Sequence, residues 1–172
     1  MRVKNIFVIL FFISFIFAGN IIKEFSFGRI DSKKIDNYDL INLEGCNARL
    51  EEVGKPIIPF KDISILIPPS AEISSIEILE LERKEIPGNY YLYPAQMPRP
   101  IGVDYDKEYP FIIDQEFYET EEEYPKELYR IIPSGCKSGV RVGGMFLFPL
   151  HYIPKERKSI LYSKIKIKIN HE

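Results

Sequence analysis

Residues 139–170 read GVRVGGMFLFPLHYIPKERKSILYSKIKIKIN. The second half alternates strictly. Leu161, Ser163, Ile165, Ile167 and Ile169 fall on one side, and Tyr162, Lys164, Lys166, Lys168 and Asn170 on the other. A two-residue period belongs to a β-strand with one face buried and one face in water. The first half is apolar and aromatic, with glycines at 139, 143 and 144 and a corner at Tyr152-Ile153-Pro154. The stretch predicts a long β-hairpin with a buried first arm and a lysine-studded second arm. Its lysines suit an edge strand, where charge discourages pairing with other molecules. Glycines in strand-like sequence point to a bulge or to close backbone packing rather than to a phosphate cradle.

The chain around this hairpin has the composition of an all-β protein. It has 172 residues, enough for one domain with a real core. Hydrophobic residues make up 45%, which excludes intrinsic disorder. A net charge of -2 offers nothing to nucleic acid. The 13 prolines and 10 glycines are scattered as punctuation, and β-branched isoleucine is abundant.

The N-terminus reads as an export signal. Arg2 and Lys4 precede the apolar run Ile6–Phe17, interrupted only by Ser14, and Ala18-Gly19 follow. A basic start, about a dozen apolar residues and a small-residue end describe a secretory signal peptide. A membrane span needs roughly 20 residues, and an uncleaved anchor is the alternative reading. Residues 1–19 are therefore assigned to the signal peptide and 20–172 to one exported domain, secreted, periplasmic or at the cell surface. Outside the cytosol Cys46 and Cys136 could pair. A disulfide closing so long a loop would contribute roughly 4 kcal/mol in the chain-entropy model.

Further strands are predicted at Lys23–Arg29, Tyr38–Leu43, Lys61–Ile67, Asn89–Pro94 and Leu128–Ile132. Gly54-Lys55-Pro56-Ile57-Ile58-Pro59 has two prolines three apart, which marks an extended, edge-like connection. Ala71–Arg83 shows helical spacing at Ile73, Ile76 and Leu79. It also alternates as a strand if one residue slips between Ile78 and Leu79, as a β-bulge allows. Its β-branched residues and flanking prolines favour the strand. Ala95–Pro110 is a proline-rich charged loop, long enough to suggest function. Asp114–Tyr124 is acidic and reads as a solvated loop or short helical turn; its spacing does not fit an EF-hand. Ser134-Gly135 is expected to turn the chain into the terminal hairpin. The sum is an antiparallel β-sandwich of about eight or nine strands.

Catalytic chemistry is hard to assemble from these residues. The histidines are His151 and His171. Cys136 and His151 are separated by one arm of the hairpin and could approach each other. However, Ser134-Gly135-Cys136-Lys137-Ser138 matches no nucleophile signature, and His151 sits inside an apolar strand. No phosphate loop, metal motif or Ser-His-Asp set is present, so no cofactor, no metal and no catalysis within this chain are expected.

Several segments, taken in order, carry a family resemblance: Gly54-Lys55-Pro56-Ile57-Ile58-Pro59, Pro94-Ala95-Gln96-Met97-Pro98, Tyr124-Pro125, Arg141-Val142-Gly143, Pro149-Leu150-His151-Tyr152-Ile153-Pro154 and the closing strand Leu161–Ile169. Together they resemble the propeptide domain of gingipain-type cysteine peptidases, peptidase family C25. In that family Arg is often followed directly by Gly, whereas here Val142 intervenes. The resemblance implies a β-sandwich between a signal peptide and a caspase-like catalytic domain. Such a domain covers the active-site cleft, keeps the zymogen latent, assists folding and is removed by proteolysis. The partner implied is the cognate C25 catalytic domain, in cis or in trans. The family's catalytic Cys and His lie in that downstream domain, and the chain as given resembles an isolated propeptide or a truncated precursor. An inhibitory loop would present Arg99 or Lys107 to a pocket for basic residues. Arg99 lies between Pro98 and Pro100, which would stiffen its presentation. The competing reading is a secreted β-sandwich adhesion or structural module with no peptidase attached.

Overall fold

A computed structural model describes residues 19–98 and 110–172. The elements run β1 (Gly19–Ser26), β2 (Ile30–Ile35), β3 (Tyr38–Leu43), β4 (Ala48–Leu50), β5 (Ile58–Leu66), β6 (Ile73–Ile86), α1 (Gln115–Tyr118), β7 (Tyr129–Lys137), β8 (Val140–Leu147), β9 (Leu150–Ile153) and β10 (Lys158–His171). The strand pairings are antiparallel. One sheet has the order β1-β10-β6, with β9 also pairing β10; the other has the order β4-β5-β8-β7; β2 and β3 form a separate hairpin. The fold is an antiparallel β-sandwich, as expected, with ten strands among the described residues.

The alternation of β10 is used on both faces. Ile165, Ile167 and Ile169 are fully buried and meet Ile63, Ile65, Met145 and Leu147 from the other sheet in one core. The lysines face out, but not on an edge. β10 is the central strand, flanked by β1 and β6. Its lysines are therefore neutralised across strands: Lys164 lies 2.9 Å from Glu80 and Lys168 3.3 Å from Glu77. The edge assignment fails because the glutamates that complement the lysines lie far away in the chain.

The long hairpin also divides. β8 pairs with β5 and β7 in one sheet, whereas β9 pairs with β10 in the other. The crossing is at Phe148-Pro149. Phe148 donates its N–H to the Leu128 carbonyl (2.8 Å) and is fully buried, while Pro149 has no N–H with which to continue a ladder. Only Leu150–Ile153 makes the predicted hairpin contact.

The slip expected in β6 is present. Glu80 pairs with Lys166 and Ile78 with Ile167, leaving Leu79 out of register. The turn expected at Ser134-Gly135 is not there. The register jumps between Ile132 and Gly135, so these residues form an irregularity inside β7 next to Pro133, which cannot donate to a ladder. The chain turns instead at Ser138-Gly139, where φ is 51° and 78°. Gly143 provides the close packing expected of it: a Cβ there would lie 2.8 Å from Ile73 Cδ1. Asn89–Pro94 is not a regular strand. It is an extended stitch that pairs with Asp39 on one side and Pro56 on the other.

Candidate functional site: the stem of the Ala95–Pro110 loop

Gly54 lies at the centre of the loop's base. It is buried with φ of +84°. Its N–H donates to the Ala95 carbonyl (2.8 Å), and its own carbonyl accepts from the Asp114 N–H (3.0 Å). One residue thus ties the outgoing and returning stems of the loop to the body. Ala95 reinforces the first tie by donating to the Lys55 carbonyl at 2.8 Å. A Cβ on residue 54 would sit 3.1 Å from the Asp114 nitrogen and 3.3 Å from its Cβ. The left-handed φ and the crowding both require glycine here.

The outgoing stem is anchored further back. Tyr91 and Tyr93 exchange backbone hydrogen bonds with Asp39, and Ile57 donates to the Tyr93 carbonyl at 2.9 Å. The Asp39 side chain is buried, but it has partners. It accepts from the Tyr91 N–H (3.0 Å) and from Lys34 Nζ (2.9 Å), so its charge is not left uncompensated.

The returning stem lands on aromatic rings. Phe111 packs against Tyr38 (5.5 Å between centroids) and Tyr93 (5.8 Å), while Tyr38 stacks on Tyr91 (4.8 Å). Arg157 lies over the Tyr91 ring at 4.4 Å. Asp114 then caps α1, its Oδ1 accepting from the Phe117 N–H at 3.0 Å. Tyr118 at the end of α1 donates to the Leu92 carbonyl at 2.6 Å, and burial pushes its phenol above the ordinary range. The acidic stretch is thus partly a single helical turn with a structural duty.

The family model Propeptide_C25 matches residues 23–172. The chain belongs to the C25 propeptide family. Two solved structures share this propeptide's fold, both from Porphyromonas gingivalis. One comes from work on the zymogenic latency of gingipain K, with 19% identity, 89% of this chain and 86% of that chain covered and a TM-score of 0.75. The other is a complex of RgpB pro- and mature domains, with 15% identity, 87% and 78% covered and a TM-score of 0.72. At these identities the likeness is one of fold. No curated protein matches the chain.

The motif pieces prove to be partners in space. Gly54 and Lys55 of one are bonded to Ala95 of the next. Tyr124 and Tyr152, from the Tyr-Pro step and the Pro149–Pro154 corner, exchange both backbone hydrogen bonds at 2.8 Å. Arg141 donates its Nε to the Ala71 carbonyl (3.0 Å) and pairs with Glu72. It therefore pins the segment entering β6, a contact that the intervening Val142 does not prevent.

Arg99 and Lys107 lie outside the described residues. Cys46 and Cys136 are free thiols rather than a disulfide. Cys46 is half-buried after β3, where burial pushes its thiol up to about 12, and Cys136 is exposed near the end of β7. His151 is buried on β9, in the opposite sheet from Cys136, with Nδ1 3.2 Å from Glu123 Oε2. Burial lowers its pKa, and Glu123 only partly opposes this. As a C25 propeptide the chain is not the catalytic part of a peptidase. Among the described residues no helix is long and apolar enough to cross a membrane. Sequence reasoning missed the roles of Gln96, Phe111 and Asp114. Two of the motif pieces hold Gly54 and Gln96, but no spacing rule joins segments forty residues apart.

Proposed function

We propose that this propeptide keeps an exported C25 cysteine peptidase latent by covering its active-site cleft, assists its folding, and leaves by proteolysis. The observation that carries the reading is the family match over residues 23–172. The architecture supports it: Ala95, at the start of the Ala95–Pro110 stretch, and Asp114, beyond its end, are both tied to Gly54 in the body of the sandwich. Latency in the gingipain K work and the pro–mature complex of RgpB are the corresponding properties of two proteins with the same fold. The basic and apolar start, Arg2 to Phe17, supports export, with residues 1–19 as the leader and 20–172 as the propeptide domain. Within the loop Arg99 is the inhibitory side chain, with Lys107 as the second basic candidate. A guanidinium between two prolines can enter a pocket that ends in a carboxylate with little further loss of freedom.

The test is to mix the purified chain with the cognate C25 catalytic domain and measure the inhibition constant. Inhibition by the parent chain and at least a tenfold weakening by Arg99→Ala are expected. An unchanged constant for Arg99→Ala would remove Arg99 from the mechanism. Absence of inhibition by the parent chain would remove the latency reading itself.

A further inference from the structure

We propose that Gln96 is the positioning residue of the inhibitory loop, its side-chain amide serving as a rung that holds the two described stems together. This rests on the reading that the Ala95–Pro110 loop engages the peptidase. The Gln96 Oε1 accepts from the Ile112 N–H at 2.9 Å, and its Nε2 donates to the Ile112 carbonyl at 2.8 Å and to the Pro94 carbonyl at 3.0 Å. Exchange of an N–H and a carbonyl with one facing residue is the pattern of a hydrogen-bonded pair in an antiparallel ladder. Here a side chain supplies one half of it. The three partners also settle which way the amide points. Reversing it would set the NH2 against the Ile112 N–H and the oxygen against two carbonyls.

A backbone rung is hard to build at this place. Beyond Gln96 the outgoing stem has Met97 and then Pro98, and the returning stem brings Pro110 before Phe111. Neither proline can donate. Gly54 already fixes Ala95 and Asp114 one step below. The amide thus adds a second tie beyond the first, joining the two described stems. Two successive ties set a direction as well as a point of attachment. A loop held in direction before binding loses less freedom on entering a cleft, so its affinity rises without a new contact. Other side chains would not serve. Asn is one methylene shorter, and Glu brings a carboxylate toward the carbonyls of Pro94 and Ile112 while losing both donated bonds.

The experiment compares four chains against the cognate C25 catalytic domain: the parent, Gln96→Ala, Gln115→Ala on the exposed side of α1, and a chain with residues 99–109 replaced by Gly-Ser linker of equal length. Inhibition constants, urea midpoints and the rate of tryptic cleavage after Lys107 in the free chain are read for each, Arg99 being protected by the following Pro100; the linker chain, which has no Lys107, is left out of the last. The expected result for Gln96→Ala is inhibition weakened at least tenfold, faster tryptic cleavage and a urea midpoint close to the parent's, with Gln115→Ala like the parent throughout. If Gln96→Ala inhibits like the parent while the linker chain does not inhibit, the clamp is overturned and the loop reading stands. If the linker chain inhibits like the parent, the loop reading falls and takes the clamp with it. A urea midpoint that collapses in Gln96→Ala would make the residue a general stability element and overturn its positioning role.

Discussion

His151 shows how a residue that looks catalytic becomes structural. It lies between Leu150 and Tyr152, packs edge-on against Tyr162 at 5.0 Å and meets Glu123 through Nδ1. Glu123 is shared with Arg83, whose guanidinium lies 2.7 Å from it. Burial disfavours the imidazolium, the Glu123 carboxylate favours it, Arg83 opposes it, and the net pKa is lowered. The sign of the pH effect follows. The unfolded chain takes up the proton near the ordinary histidine value of about 6.5, before the folded chain does. The His151 contribution to stability is therefore fully present above that pH and is lost as pH falls below it. The melting temperature should fall between pH 7.5 and 5.5. His151→Gln should give a flatter profile over the same range, whatever its absolute stability. An equally steep profile in the variant would assign the dependence to other groups.

The two long strands of one sheet differ in what each residue is worth. β10 has neighbours on both sides, and its isoleucines are sealed beneath the opposite sheet. Among the described residues β6 pairs with β10 alone, and its middle residues, Ile78, Leu79 and Leu81, remain about half exposed. Its charges, Glu77, Glu80, Glu82, Arg83 and Lys84, suit an open edge. Ile167→Ala should cost about 2–5 kcal/mol, the range for deleting a buried aliphatic side chain. Leu79→Ala, at the bulge, should stay within about 0.5–1 kcal/mol. Urea unfolding of both variants checks the contrast. Equal costs would mean that β6 is covered in solution.

At the scale of the molecule, the first and last strands are neighbours. β1 runs along β10 from Gly19↔His171 to Ser26↔Lys164, and β6 runs along its other side. The sheet cannot close until β10 is available. A chain ending at Pro154 lacks the strand that β1, β6 and β9 all share. It should lose its cooperative unfolding transition, read by circular dichroism in urea, whereas the full chain should show one transition at every wavelength. A sigmoidal transition in the truncated chain would mean that the β4-β5-β8-β7 sheet folds alone.

Features that depend on neighbours along the chain were legible from the residues alone. Alternation at Leu161–Ile169 specified a strand and its buried face, the slip at Leu79 was readable as a break in that period, and proline and glycine marked where strands stop. The ordered motif pieces pointed to the family. Which segments meet emerged with the folded arrangement. It placed β10 at the centre, because pairing partners such as Glu80 and Glu77 lie some ninety residues upstream of Lys164 and Lys168. It sent β8 and β9 into different sheets and showed a side-chain amide replacing a rung at Gln96. Local periodicity reports which face of a strand is buried. It carries no term for the strand that will lie alongside, because that choice is made by burial and hydrogen bonding between segments distant in the chain.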